Sequence, residues 1–106
     1  MPKRTPTAAE KRHYDWCASL PCAACGAVPV TLHHPTAYAD RIGRVSRSNR
    51  RVVPLCAPHH LIQHGPRESV EALNHRGFYE MHGVDLMEKA IRLEEISVAA
   101  GRLPGA

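Results

Sequence analysis

The stretch that decides the fold runs from Cys22 to His64. It reads C-x2-C at Cys22 and Cys25, a double histidine at His33 and His34, and C-x2-H-H-x3-H at Cys56, His59, His60 and His64. That is more ligand than one metal ion can use. A structural zinc ion takes four ligands from cysteine and histidine, and pairs two residues apart are the usual spacing. The set therefore divides into one closed tetrahedral site and a second cluster of histidines.

Helical geometry makes the division. A helix starting just after Pro58 puts His60 and His64 four residues apart on one face. His59 is rotated by about 100° from His60, so it faces elsewhere. His59 then joins Cys56 at the helix start, and the knuckle Cys22-Ala23-Ala24-Cys25-Gly26 supplies two more sulfurs. Gly26 suits the tight backbone of such a knuckle. The first site is Cys22, Cys25, Cys56 and His59. The second is His60 and His64 with one or both of His33 and His34. The competing accounts are buried, metal-free thiols for the cysteines and a solvated helix face for His60 and His64. Cys17 is left over and reads as a small core residue.

Length and composition bound the answer. The chain has 106 residues, with one Phe and one Trp. That suits a single domain with a modest core, for which a structural metal is a natural supplement. No apolar run is long enough to span a membrane, and no signal-peptide pattern is present. Cysteines at this spacing then read as metal ligands in a reducing cytosol, not as disulfides. The formal charge is +4. Arg41, Arg44, Arg47, Arg50 and Arg51 crowd the segment between the two halves of the metal motif. An arginine fork matches phosphate oxygens bidentately. Alone, such a run is usually a solvated loop; beside a histidine-bound metal, a phosphodiester backbone is the partner that fits.

Along the chain, residues 1–6 read as a loose, disordered tail. Thr7 and Glu10 form a capping-box pattern, so residues 7–20 hold an N-terminal helix, from Ala8 to Ser19, with Trp16 and Leu20 facing the core. Ala27 to Leu32 reads as a short edge strand closed by His33 and His34. Residues 36–49 form a long loop, and Arg51 to Leu55 a second strand pairing back with the first. The metal helix is expected from Ala57 to His64, ending at Gly65-Pro66. Residues 66–99 hold two further helices. One reaches Met81, is weakened at Gly77 and ends at Gly83. The other is capped by Asp85 and runs from Leu86 to Ala99, with Leu86, Ala90, Leu93 and Ile96 as its apolar stripe. His13, His75 and His82 read as surface or packing residues.

PCAACG at 21–26, LHHP at 32–35 and SNRRVVPLCAPHHLIQH at 48–64 resemble the zinc-bearing HNH endonucleases, the ββα-metal or His-Me finger superfamily. The extension GFYEMHGVDL at 77–86 is similar to small phage and prophage HNH proteins, including recombination-associated ones. The resemblance implies an α+β fold: a small, treble-clef-like ββα-metal core with a structural zinc site and flanking helices, spanning 1–106 as one domain. It implies that His33 ends the first strand as a metal ligand and that His34 is the general base. Spacing alone cannot order those two, because adjacent strand residues point to opposite faces. Asn49 matches the residue that ties the loop and orients the histidine pair, although it lies seven positions before Cys56, a departure from the commonest spacing. His60 and His64 match the helix ligands of the catalytic ion.

The activity so implied is metal-dependent hydrolysis of DNA phosphodiester bonds. The cofactors are a structural Zn2+ and a second divalent cation (Mg2+, Mn2+, Ni2+ or Zn2+). DNA is the partner, held by Arg41, Arg44, Arg47, Arg50 and Arg51, with no membrane contact. The setting is the cytoplasm of a bacterial host or phage-infected cell. A homodimer and a recombination or packaging partner stay open. The rival reading is a non-catalytic zinc module that binds nucleic acid or protein.

Overall fold

A computed structural model of the chain describes residues 7–35 and 50–105. Its elements, in order, are helix α1 (Ala8–Ala18), strands β1 (Thr31–His33) and β2 (Val53–Leu55), the single-turn helix α2 (Ala57–His60), and helices α3 (Val70–His82) and α4 (Leu86–Ala99). This is a small α+β arrangement. None of these helices is long and apolar enough to cross a membrane.

α1 starts as its capping box requires. The Glu10 N–H donates to Thr7 Oγ1 at 3.1 Å, and the Thr7 N–H returns a bond to Glu10 Oε1 at 2.8 Å. The two strands pair antiparallel, with His33 opposite Val53 and Thr31 opposite Leu55. Both are shorter than the sequence pattern suggests. The cause at the β1 end is the knuckle, which consumes the backbone before it: the Cys22 N–H donates to Ala27 O at 2.9 Å and the Gly26 N–H to Cys22 O at 2.8 Å. Gly26 has φ 78°, which only glycine adopts without strain. The knuckle is also pinned to β2, through the Ala23 N–H and Pro54 O at 3.0 Å.

The metal helix differs most from expectation. It ends at His60, and Leu61 is extended at φ −109° and ψ 132°. A continuing helix would send the Ile62 N–H to Pro58 O, four residues back. Instead Ile62 donates to Glu71 Oε1 at 2.8 Å, and Gly65 comes down against the Pro58 carbonyl. A Cβ on Gly65 would lie 1.7 Å from Pro58 O. His64 therefore sits in a separate turn. Gly65→Ala is expected to push this turn off the metal helix and destabilise the protein by at least the 1–3 kcal/mol typical of overpacking, about a few kcal/mol; thermal unfolding of the zinc-loaded chain measures it.

α3 is capped by Ser69, whose Oγ accepts from the Ala72 N–H at 3.2 Å, and it ends at Gly83 in the left-handed conformation. It is interrupted by a kink at Asn74, three residues before Gly77, the weak point the sequence suggests. α4 is capped by Asp85, whose carboxylate accepts from the Glu88 N–H at 3.0 Å. Leu86, Ala90 and Leu93 are buried, but the fourth buried position is Ser97, while Ile96 is exposed. Position 97 is eleven residues, close to three full turns, from Leu86; position 96 falls well off that line.

Val52 to Cys56 are all buried, so β2 runs through the middle of the core. Cys22, Val53, Leu55 and Cys56 pack with Val70, Phe78, Leu86 and Ala90. Beside them, Cys17, Val52 and Leu93 pack with Tyr14, Trp16, Leu20 and Leu32. Cys17 is a fully buried core residue, as its position on α1 suggests. His13 pins three segments. Its Nε2–H donates to Arg50 O at 2.7 Å, so its Nδ1 accepts from the Ser97 hydroxyl at 2.6 Å. That bond explains why a serine is tolerated on the buried face of α4.

Candidate metal centre and histidine cluster

The knuckle, the end of β2 and the single turn of α2 bring Cys22, Cys25, Cys56 and His59 together. Their ligand atoms all lie within 4.8 Å of one another. Cys25 Sγ is 3.7 Å from Cys56 Sγ, Cys22 Sγ is 3.7 Å from His59 Nδ1, and Cys56 Sγ is 3.2 Å from the same nitrogen. Zinc–sulfur bonds of about 2.3 Å and zinc–nitrogen bonds of about 2.0 Å give tetrahedron edges of roughly 3.5–3.8 Å. The donors thus already stand close to the corners that one zinc-type ion requires. This is the set expected from the sequence.

Electrostatics also call for a cation here. Burial, then the neighbouring Cys25 and Cys22 sulfurs, push the Cys56 thiol up to about 11. Burial also opposes charge on Cys22, but the backbone N–H groups around it, including Ala24 N–H at 3.4 Å, leave its thiol below the ordinary value. Three sulfurs this close cannot all ionise without a positive charge among them, and zinc binds the thiolate form. His59 is held edge-on by Phe78 and by His82, the latter with ring centroids 4.8 Å apart at 84°. The His82 Nε2–H donates to Glu68 O at 2.9 Å. His82 therefore buttresses a candidate metal ligand, a role its position in the sequence did not signal.

The second group forms on the other side of the β1–α2 junction. His60 turns away from His59, as the helical rotation requires, and meets β1. Its Nδ1 pairs with Thr31 Oγ1. Thr31 donates its single hydroxyl proton to Leu55 O at 3.2 Å. His60 must then donate from Nδ1, which leaves a lone pair on Nε2. His33 lies edge-on to His60, with centroids 5.3 Å apart, and its Nε2 is 2.9 Å from Nε2 of His75 on α3. Burial first, then the charges of His75, His60 and His34, lower the His33 pKa to about 3. Burial lowers those of His60 and His75 as well. All three rings are neutral near pH 7.

His34 points the other way, as strand alternation demands. It is exposed, and its ring is edge-on to Tyr14 at 6.2 Å. His64, expected on the face of His60, is instead exposed in the turn after α2, with Nε2 3.4 Å from Gln63 Nε2. The helix break at Leu61 separates it from His60. Among the described residues, the Cys3His set is the one group of three or more ligands that converges; His33, His60 and His64 do not form a second.

Arg41, Arg44, Arg47 and Asn49 lie outside the described residues. Arg50 and Arg51 lie within them and face α4. Their Nε atoms are 3.0 Å and 3.1 Å from the two carboxylate oxygens of Glu94, and Arg50 also donates to Pro104 O at 2.7 Å. This pairing dedicates part of the basic run to closing the fold. Comparison with family models, with curated proteins and with solved structures gives no match for the chain.

Proposed function

We propose that this chain is a metal-dependent DNA endonuclease of the zinc-bearing HNH type, with a ββα-metal core. The observation that carries the reading is the meeting of His33 and His60 across the strand–helix junction, 5.3 Å between ring centroids, with His60 next in the chain to His59 of the Cys3His group. A structural ion in that centre would lock β2 to α2 and so hold the two imidazoles in register.

The residues present suit phosphodiester hydrolysis. His33 and His60 are neutral imidazoles, and His60 keeps a free lone pair on Nε2; such nitrogens are good ligands for a divalent cation. A cation held there would act as a Lewis acid on the phosphate and the departing 3′ oxygen. The resemblance gives His34 the role of proton acceptor, which a coordinated imidazole could not fill; in that role His34 must reach a water beside the phosphate the cation holds. The part of its ring that is covered loses water, which holds its pKa below the usual histidine value and favours the neutral form at neutral pH. Asn49 would orient the pair. With Arg50 and Arg51 paired to Glu94, phosphate contacts fall mainly to Arg41, Arg44 and Arg47.

Plasmid incubated with the protein and Mg2+, Mn2+ or Ni2+, with a chelator control, tests the activity. Cleavage only with added metal supports it. DNA binding without cleavage under any of these ions favours a non-catalytic zinc module, a reading supported by the fact that only the Cys3His set is complete among the described residues. Replacing Arg44 and Arg47 together with Ala is expected to weaken DNA binding and to flatten its dependence on salt by about two phosphate contacts. An unchanged slope in a salt titration would return this loop to a solvated role.

A further inference from the structure

The sequence marks His75 as a surface or packing residue, yet α3 delivers it to the histidine cluster. Its ring is buried, and its Nε2 lies 2.9 Å from Nε2 of His33. The ring centroids, 5.2 Å apart, sit behind the two nitrogens, so the rings point at each other. That is the geometry of an N–H···N hydrogen bond. Two lone pairs sharing one tetrahedral ion would meet at an angle instead. One ring must therefore donate and the other accept.

The backbone shows that this contact is held in place. Asn74, immediately before His75, has φ 59° and ψ −179°, a region that side-chain-bearing residues occupy at a cost of roughly 1–3 kcal/mol. Its side chain compensates in part, Oδ1 accepting from the Gly77 N–H at 3.1 Å and restarting the helix. The kink splits α3 at the residue before His75 and sets the direction of the histidine.

We infer that His75 is the positioning residue of the second ion site: it accepts the Nε2 proton of His33, so that His33 presents Nδ1 as its ligand atom. The inference rests on the proposed second-ion reading for the direction of the hydrogen bond. Metal-bound histidines usually give their other ring N–H to a fixed acceptor, and loss of that acceptor weakens metal binding about 10–100-fold.

The test uses the full, untagged chain carrying one equivalent of zinc. Nitrogen-15 NMR of the imidazoles reads the His33 tautomer with no second ion present. The expected result is a proton on Nε2 in the wild type. His75→Leu should spread that proton over both nitrogens, whereas His75→Gln, whose amide oxygen can accept, should keep it on Nε2. Ni2+ titration by calorimetry should then show second-ion binding about 10–100-fold weaker in His75→Leu and largely recovered in His75→Gln. A wild-type proton on Nδ1 overturns the inference, whatever the variants do. So does equal Ni2+ affinity in His75→Leu and wild type, or a His75→Gln protein as weak as His75→Leu, which would mark packing as the role. If the tautomer is as stated and Ni2+ binds through His33 but no metal supports DNA cleavage, the positioning contact stands and the endonuclease reading falls.

Discussion

Cys56→Ala is expected to leave the middle of the chain unfolded at room temperature. Cys56 is buried at the end of β2, caps α2 from its backbone, and shares the centre with Cys22, Cys25 and His59. Zinc in finger-like sites contributes about 10–16 kcal/mol of apparent free energy near neutral pH. The total stability of an ordinary domain is about 5–15 kcal/mol. Removing one thiolate therefore puts most of the margin at risk. Two measurements decide it: bound zinc after dialysis, and far-UV circular dichroism with a thermal melt. A chelator on the wild type should produce the same loss, and so should acid, because protons compete with the ion for the sulfurs. A Cys56→Ala protein that is metal-free, folded and cooperative would show that the four ligands do not share an ion.

His34→Ala is expected to retain fold and zinc while losing DNA cleavage by about 10²–10⁴-fold, the usual contribution of a positioned general base. The structural cost should be small, since His34 is exposed and its ring contact is the edge of Tyr14 at 6.2 Å. His33→Ala makes the informative contrast. It removes a half-buried ring in contact with both His60 and His75, so it should also weaken second-ion binding. If His34→Ala cleaves at near wild-type rate while His33→Ala does not, the proton acceptor is not His34.

The order in which residues meet along β1 explains why these two histidines are separable. Their adjacency in sequence carries no information about which one faces the helix. The antiparallel register, His33 opposite Val53, turns His33 toward His60 and His75 and leaves His34 on the side of α1. The double histidine was visible in the chain; its division between two environments comes from pairing.

The closed Cys3His set was legible in the amino-acid chain because its donors come in short local pairs, C-x2-C and C-x2-H, whose geometry a knuckle and one helical turn dictate by themselves. The caps at Thr7 and Asp85, the stop at Gly83 and most of the α4 stripe were local in the same way, whereas α3 starts at Val70 behind a Ser69 cap and not at Pro66 or Arg67. The rest was settled by contacts between residues far apart in the chain. His64 left the helix because Glu71 takes the Ile62 N–H and Gly65 packs on Pro58. Arg50 and Arg51 turned inward because Glu94 lies across from them. His75 reached His33 over 42 positions because α3 kinks at Asn74. Helical period and ligand spacing encode neighbours within a turn or two; which histidines meet depends on how distant backbones satisfy their hydrogen bonds and bury their apolar faces.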